Sequence, residues 1–225
     1  MNVAVLSDFA TQRQTMVDCQ IRTFDVTDQT VIGRFLDVPR ERFVPTHLQS
    51  LVYSDAALEL RADGASRTML APLVLARMIQ GAQVSATDRV LDVAGGAGYS
   101  AALLAGLAKE VVALESLATL SSQAGTNLAS AGIANAKAVQ GALDGSGVSG
   151  SFDLIFVNGA VEEGIEPLLA KLSPAGRLIA VRKIAGHAGK VTRFEKIGGE
   201  TSHRVLFDAA APVLDTFARR QAFVF

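Results

Sequence analysis

Residues 90–98, Val-Leu-Asp-Val-Ala-Gly-Gly-Ala-Gly, constrain this chain more than any other stretch. An apolar run of strand type closes on an acidic residue and passes at once into a glycine-rich bend. Residues 99–108, rich in Ala and Leu, then read as a helix. Strand, tight loop and helix N-terminus together aim backbone N–H groups at one spot, where a nucleotide-like ligand can sit on them. Only glycine lets the main chain come that close to a ligand. Asp92 bears on which ligand: it would meet a pyrophosphate with like charge, but it suits the cationic amino-acid end of S-adenosylmethionine. The next apolar run, Val111-Val112-Ala113-Leu114, ends in Glu115, where an acid can accept from the ribose hydroxyls of an adenosine ligand.

Gly96-Ala97-Gly98-Tyr99-Ser100-Ala101 also satisfies the loose dinucleotide pattern G-x-G-x-x-A, so a nicotinamide cofactor and an oxidoreductase stay open at this point. Two features count against them. The carboxylate of Asp92 lies four residues before Gly96, and no neighbouring Arg or Lys answers a phosphate.

The rest of the chain supports one α/β core. Its 225 residues, 49% of them hydrophobic, suffice for a full sheet with an appended subdomain. A formal net charge of −1 gives no dedicated surface for nucleic acid. The single cysteine, Cys19, cannot form an internal disulfide and is expected to be a buried small hydrophobe in a cytoplasmic protein. The N-terminus has no basic region followed by a long apolar run, and no apolar stretch approaches the length of a membrane span; neither export nor a membrane partner is expected. His47, His187 and His203 are scattered, with no metal-ligand spacing, and are expected at the surface or in loops.

Residues 1–85 read as a helical and irregular cap integrated with the core. Ser7 or Asp8 caps a helix to about Arg22, Thr27 or Asp28 caps another presenting Val31, Ile32, Phe35 and Leu36, and Pro72 opens a third through Ile79. Residues 86–225 read as a Rossmann-like domain. Strands are expected at 89–94, 110–115, 136–140, 152–157 and 177–182, with helices near 99–108, 117–131 and 164–172. That alternation implies a parallel sheet whose strand ends form the ligand crevice. Strands at 190–197 and 204–214, joined by Gly198-Gly199, then make an antiparallel hairpin. No element is assigned to 215–225. By strand polarity Asn158, just past 152–157, points into the same crevice, where its amide is the candidate contact to substrate or simply satisfies a loop.

Further residues carry a family resemblance. Arg13, Met16-Val17 and the proline-bracketed Val38-Pro39-Arg40-Glu41-Arg42-Phe43-Val44-Pro45 come first. Tyr53-Ser54-Asp55, Thr68-Met69-Leu70-Ala71-Pro72, Val90-Leu91-Asp92, Gly96-Ala97-Gly98-Tyr99 and Glu115 follow. Phe152-Asp153-Leu154-Ile155 and Leu172-Ser173-Pro174-Ala175-Gly176-Arg177-Leu178 complete the set. Over residues 10–214 this order resembles the protein-L-isoaspartate (D-aspartate) O-methyltransferase family. The glycine loop alone is common to many methyltransferases; the R-E-R-F-V-P run at this distance before it is far more specific.

The resemblance implies a class I S-adenosylmethionine-dependent methyltransferase fold, with an N-terminal helical cap and a reversed final hairpin. It also implies methyl transfer from S-adenosylmethionine to the α-carboxylate of isoaspartyl (D-aspartyl) residues in damaged peptides and proteins, a repair reaction. Asp92, Ala94, Gly96, Gly98 and Glu115 then fall on the cofactor, and Tyr99 either lines its pocket or packs under the helix. Arg40 and Arg42 are expected to brace the cap by ion pairs and backbone bonds rather than meet substrate.

Three departures from the family pattern bear on function. Leu70 stands where the family has a serine close to the substrate carboxylate, leaving Thr68 as the catalytic-region residue carried over. Gly141-Ala142-Leu143-Asp144-Gly145 replaces the usual G-D-G. Either Asp144 takes the role of that Asp toward the adenine, or backbone at Ala142 and Leu143 does, with Asp144 capping its own turn. Ala94 replaces the first loop glycine, which is unstrained only if its φ is negative. These changes keep open a divergent S-adenosylmethionine-binding protein with another methyl acceptor or a non-catalytic regulatory role.

Overall fold

The computed structural model describes residues 3–219. The chain starts with helix α1 (Val3–Met16), which widens into a π-helical turn, Val17–Ile21. The helix thus begins before Ser7 and Asp8, and the Asp8 carboxylate accepts from the Gln12 side chain rather than capping an end. Val17 and Ile21 take the buried face. Cys19, two residues from each and therefore on the opposite side, is exposed, contrary to the expectation of burial. Asp28 is the cap of α2 (Gln29–Asp37), its carboxylate accepting from the N–H groups of Thr30 and Val31, and Val31, Ile32 and Phe35 are buried as read.

The proline-bracketed segment folds into two short 3-10 turns, Arg40–Phe43 and Thr46–Leu51. Arg40 is fully buried there; it donates through Nε to Val52 O and through Nη2 to Leu70 O, with its guanidinium over the Tyr99 ring. It braces the cap through backbone carbonyls, while Arg42 is exposed.

Residues 58–69 are a β-hairpin, where no strands are expected from the sequence pattern. Strand β1 (Leu58–Ala62) pairs antiparallel with β2 (Ala65–Met69). Asp63 and Gly64 both have positive φ, 53° and 74°, as the turn between the strands requires. The inward face carries Leu58, Leu60, Arg67 and Met69; an arginine among three apolar residues needs a partner beneath it. Helix α3 (Pro72–Ala82) follows, with Pro72 in its first turn and Gln83 in the left-handed conformation at its end.

The remaining strands are β3 (Arg89–Val93), β4 (Glu110–Glu115), β5 (Ala136–Gln140), β6 (Phe152–Val161), β7 (Leu172–Arg182), β8 (Lys190–Ile197) and β9 (Glu200–Asp208). They form one sheet in the order β5-β4-β3-β6-β7-β8-β9, parallel through β7 and antiparallel beyond. Helices α4 (Tyr99–Ala105), α5 (Ala118–Ser130) and α6 (Glu166–Ala170) lie in the crossovers. Two buried clusters flank the sheet, and the larger runs continuously into the cap, from Phe35 and Phe43 to Tyr99, Leu103 and Val111. The cap is therefore part of the core rather than a separate body.

Two strands are longer than expected: β6 continues to Val161 and β7 starts at Leu172, with a register irregularity between Phe152 and Leu154. At the other end β9 begins directly after Gly198-Gly199 and stops at Asp208, six residues earlier than read. Residues 209–214 leave the hairpin and return to the middle of the sheet, where Val213 makes a parallel bridge to Ala160. Pro212, which has no N–H to give to a ladder, accepts from Ala160 N through its carbonyl. Residues 220–225 lie outside the described residues.

Candidate active site

The chain goes from β3 outward to β4 and β5, then returns to place β6 on the other side of β3. The carboxyl ends of β3 and β6 thus form the switch point at which open α/β sheets bind ligands. Asp92 pairs with Phe156 and Val93 with Val157 across this junction. Past it the register of β6 is irregular between Phe156 and Ala160, and Asn158 sits in that bulge. Its amide nitrogen donates to Asp92 Oδ1 at 2.8 Å and to Val93 O at 3.0 Å.

Asp92 is completely buried and accepts a second hydrogen bond from Ser100 Oγ at 2.7 Å. Burial pushes its carboxyl up to about 7; the bonds from Ser100 and Asn158 oppose that rise, and the nearby Glu115 adds to it. A Cβ on Gly95 would strike the Asp92 carboxylate and the Ser100 hydroxyl, so the loop is tightest around this acid. Gly96 and Gly98 adopt φ of 61° and 96°, and a Cβ on Gly98 would lie 3.2 Å from Ala124. Both glycines are required by conformation as well as by space. Ala94, however, also has positive φ, 58°, so the negative angle that would suit an alanine is not what the loop adopts. The turn that aims the loop over the sheet demands this angle, and the residue bears strain on the order of 1–2 kcal/mol.

Glu115, at the end of β4, is 2% exposed and organises the far side of the loop. Its Oε2 accepts from Gly96 N at 3.1 Å, and Oε1 accepts from Ser116 N and Leu117 N. Oε1 also accepts from Arg67 Nε at 2.9 Å, while Arg67 Nη2 donates to Ser116 Oγ. An arginine therefore does reach the glycine loop, from the inward face of the β1–β2 hairpin. Its cross-strand partner Leu60 presses on the same place: a Cβ on Gly96 would lie 3.1 Å from Leu60 Cδ1. The Asp63 carboxylate at the hairpin tip accepts from Thr119 N in the first turn of α5, which pins the hairpin there. The sequence signal for all of this is Asp63-Gly64 between alternating apolar residues.

Thr68 and Asn158, far apart in sequence, come together. They line one cleft of about 300 Å³ with residues 64–67 on one side and 212–215 on the other. Leu214 covers Gly159, where any side chain would collide with it. Leu70 is not among the lining residues; its side chain is 2% exposed in the apolar core.

Tyr99 does not face the crevice. Its ring packs edge-on to Phe35 and beside Phe43, under Arg40, because the first turn of α4 is the floor on which the cap rests. Leu143 is 2% exposed within the sheet's second apolar cluster, whereas Ala142 is exposed. Asp144 Oδ1 accepts from Ser146 N, and that bond holds its carboxyl below the usual range; Asp144 caps its own turn. All three histidines are exposed, and among the described residues no three acidic, His or Cys side chains gather as a metal site.

The donor set fits an adenosine-type sulfonium cofactor: two buried carboxylates at neighbouring strand ends, with a glycine loop between them. Residues 11–210 match the sequence profile of the protein-L-isoaspartate(D-aspartate) O-methyltransferase family. The protein-L-isoaspartate O-methyltransferase of Methanoculleus marisnigri is 36% identical over 170 residues, covering 75% of this chain and 76% of that protein. Protein-L-isoaspartate O-methyltransferase 1 of Rhodopseudomonas palustris is 35% identical over 176 residues, 77% and 70% of the two chains. Among solved structures, a protein-L-isoaspartate O-methyltransferase superposes with a TM-score of 0.80 at 24% identity, over 91% of this chain and 67% of the other. A Plasmodium falciparum structure of that enzyme class, in complex with S-adenosyl-L-homocysteine, superposes with a TM-score of 0.74 at 20% identity, over 92% and 98%. On the match over residues 11–210 and relatives 35–36% identical over three quarters of its length, the chain belongs to the protein-L-isoaspartate(D-aspartate) O-methyltransferase family.

Proposed function

We propose that the chain methylates the α-carboxylate of L-isoaspartyl (D-aspartyl) residues in damaged peptides and proteins, with S-adenosylmethionine as methyl donor. The observation that carries this is the glycine loop held between the Asp92 and Glu115 carboxylates at the β3–β6 switch point, in a chain whose family match spans residues 11–210. The donor, when bound, supplies a methyl group already made electrophilic by its sulfonium.

The chain's own residues have correspondingly little proton chemistry to perform. An acceptor carboxylate with a pKa of about 4 is ionised at neutral pH, so no general base is needed to make the nucleophile. Placement and exclusion of water are what the site must supply. Gly96 and Gly98 let backbone N–H groups meet the ligand, and Asp92, fixed by Ser100 and Asn158, is the anionic end of the crevice. Glu115 is the acceptor for ribose hydroxyls. Asn158 acts by orienting Asp92, since its amide nitrogen is committed to Asp92 and Val93. Thr68 is the hydroxyl that lines the acceptor cleft. Ala142 and Leu143 offer backbone to the adenine edge. A protein substrate, rather than nucleic acid or a membrane, suits a chain with net charge −1 whose described helices include none long and apolar enough to cross a bilayer. The single cysteine suits a reducing, cytoplasmic setting.

The test uses an isoaspartyl peptide and a normal-aspartyl control with methyl-labelled donor. Base-labile label above the control is expected. Leu70, apolar where the family has serine, favours a second reading, a divergent S-adenosylmethionine-binding protein with another methyl acceptor or a non-catalytic regulatory role. Tight S-adenosylhomocysteine binding without label in the isoaspartyl peptide would favour it. Titration with NAD separates either reading from an oxidoreductase.

A further inference from the structure

The Glu115 carboxylate is crowded. Of its about four lone-pair sites, the two of Oε1 face three donors, the N–H groups of Ser116 and Leu117 and Arg67 Nε, and Oε2 accepts from Gly96 N, which leaves one site open. A ribose diol would bring two further donors to the same two oxygens. Three of the present donors are backbone groups built into the loop and the strand end, and cannot leave without unfolding them. Arg67 is the one side-chain donor, on a hairpin that Leu58, Leu60 and Met69 in the core and Asp63 at the tip also hold. It is also the one resident group whose departure changes the charge of its surroundings.

Arg67 already lines the neighbouring 300 Å³ cleft together with Thr68 and Asn158. While it is paired with Glu115 the two charges cancel, and the other acidic or basic side chain lining that cleft is Asp215, which does not attract an anion. Once released, the guanidinium gives the cleft a planar cation able to take a carboxylate with two parallel hydrogen bonds.

We propose that Arg67 is the acceptor-binding residue and a two-position side chain. It closes on Glu115 when no ribose is bound, and is displaced by the ribose hydroxyls into the cleft, where it holds the carboxylate to be methylated. The inference rests on the function proposed above and adds an order to it: cofactor first, acceptor second. No bond is made or broken by Arg67; it exchanges one carboxylate partner for another.

The two ligands must then respond in opposite directions to one substitution. In Arg67→Gln, S-adenosylhomocysteine no longer competes with a guanidinium, and its affinity, measured by calorimetry on the full chain, rises at least tenfold. The KM for an isoaspartyl peptide, assayed at saturating donor, rises at least tenfold, while kcat falls less. Arg67→Lys retains the charge without the fork, so it also tightens S-adenosylhomocysteine but raises KM less than Arg67→Gln does. A purely structural Arg67 would weaken both ligands together, and that result, or an unchanged S-adenosylhomocysteine affinity in both variants, overturns the proposal. If neither the parent chain nor either variant binds S-adenosylhomocysteine, the proposed function itself fails, and the inference with it. Thermal melts of each variant establish that the fold is retained.

Discussion

Replacing Asp92 with Asn should make the ligand-free protein more stable at pH 8, although it removes a carboxylate central to the site. The side chain is completely buried, and its carboxyl is raised to about 7 chiefly by loss of solvation. In the unfolded chain an aspartate titrates near 3.9. Between those values the native state holds a proton that the unfolded state has lost, so stability falls as pH rises from about 4 and levels off once pH has passed about 7. Three pKa units at about 1.4 kcal/mol each put the full penalty for the ionised form at about 4 kcal/mol. Asparagine is neutral at every pH and nearly the same shape. Its carbonyl can accept from Asn158 Nδ2 while its amide donates to the Ser100 hydroxyl; the charge assistance these bonds lose is already contained in the raised value, since both are among its causes. The expected net is about 4 kcal/mol at pH 8, or about 8–16 °C in Tm for a chain of this size. At pH 5, about one unit above the unfolded value, the gap should narrow to about 1.5 kcal/mol. Scanning calorimetry of both proteins from pH 5 to 8 reads it directly, and the difference between them removes every other titrating group. An Asn variant less stable than its parent at pH 8, or a gap that does not shrink on acidification, would refute the argument from burial.

Ala94→Gly exchanges relief of left-handed strain, about 1–2 kcal/mol, for about 0.8 kcal/mol of methyl burial and about 0.4–1 kcal/mol of chain entropy. Urea denaturation should place it within about 1 kcal/mol of the parent, whereas Ala101→Gly in α4 should lose about 2 kcal/mol. Leu70→Ser should lose about 3–5 kcal/mol by the same measurement, because it leaves a cavity and a hydroxyl in the apolar core rather than adding a group to the cleft. Arg40→Ala should lose about 3 kcal/mol, since the carbonyls of Val52 and Leu70 are then buried without donors; a loss under about 1 kcal/mol would mean that water replaces the guanidinium.

The parts of the molecule set by local pattern are legible in the residues alone. Apolar runs ending in Asp92, Glu115 and Asn158 place three strand ends in one crevice, and Gly198-Gly199 marks the terminal hairpin. What escapes is set by contacts between distant segments or by backbone angles that side-chain identity does not announce. Arg67 lies 48 residues from Glu115, on a hairpin whose Asp63-Gly64 turn is written in the chain but overshadowed by the helical signals around it. Tyr99 begins the helix after the glycine loop, as a cofactor-facing residue would. Its ring is nevertheless drawn to Phe35 and Phe43, because the cap needs an aromatic floor. Cys19 is misread because Val17 and Ile21 hold the buried face, and the residue two positions from each points away from it.

The two walls of the cleft proposed for the acceptor, 64–68 and 212–215, come from segments far apart in the sequence. The parallel sheet is complete by Arg182, yet the second wall arrives only when residues 209–214 return to lay Val213 against Ala160. A nascent chain stalled before that return would hold the glycine loop and leave this cleft open on one side. The order of synthesis therefore sets the closing of the cleft after the folding of the parallel sheet.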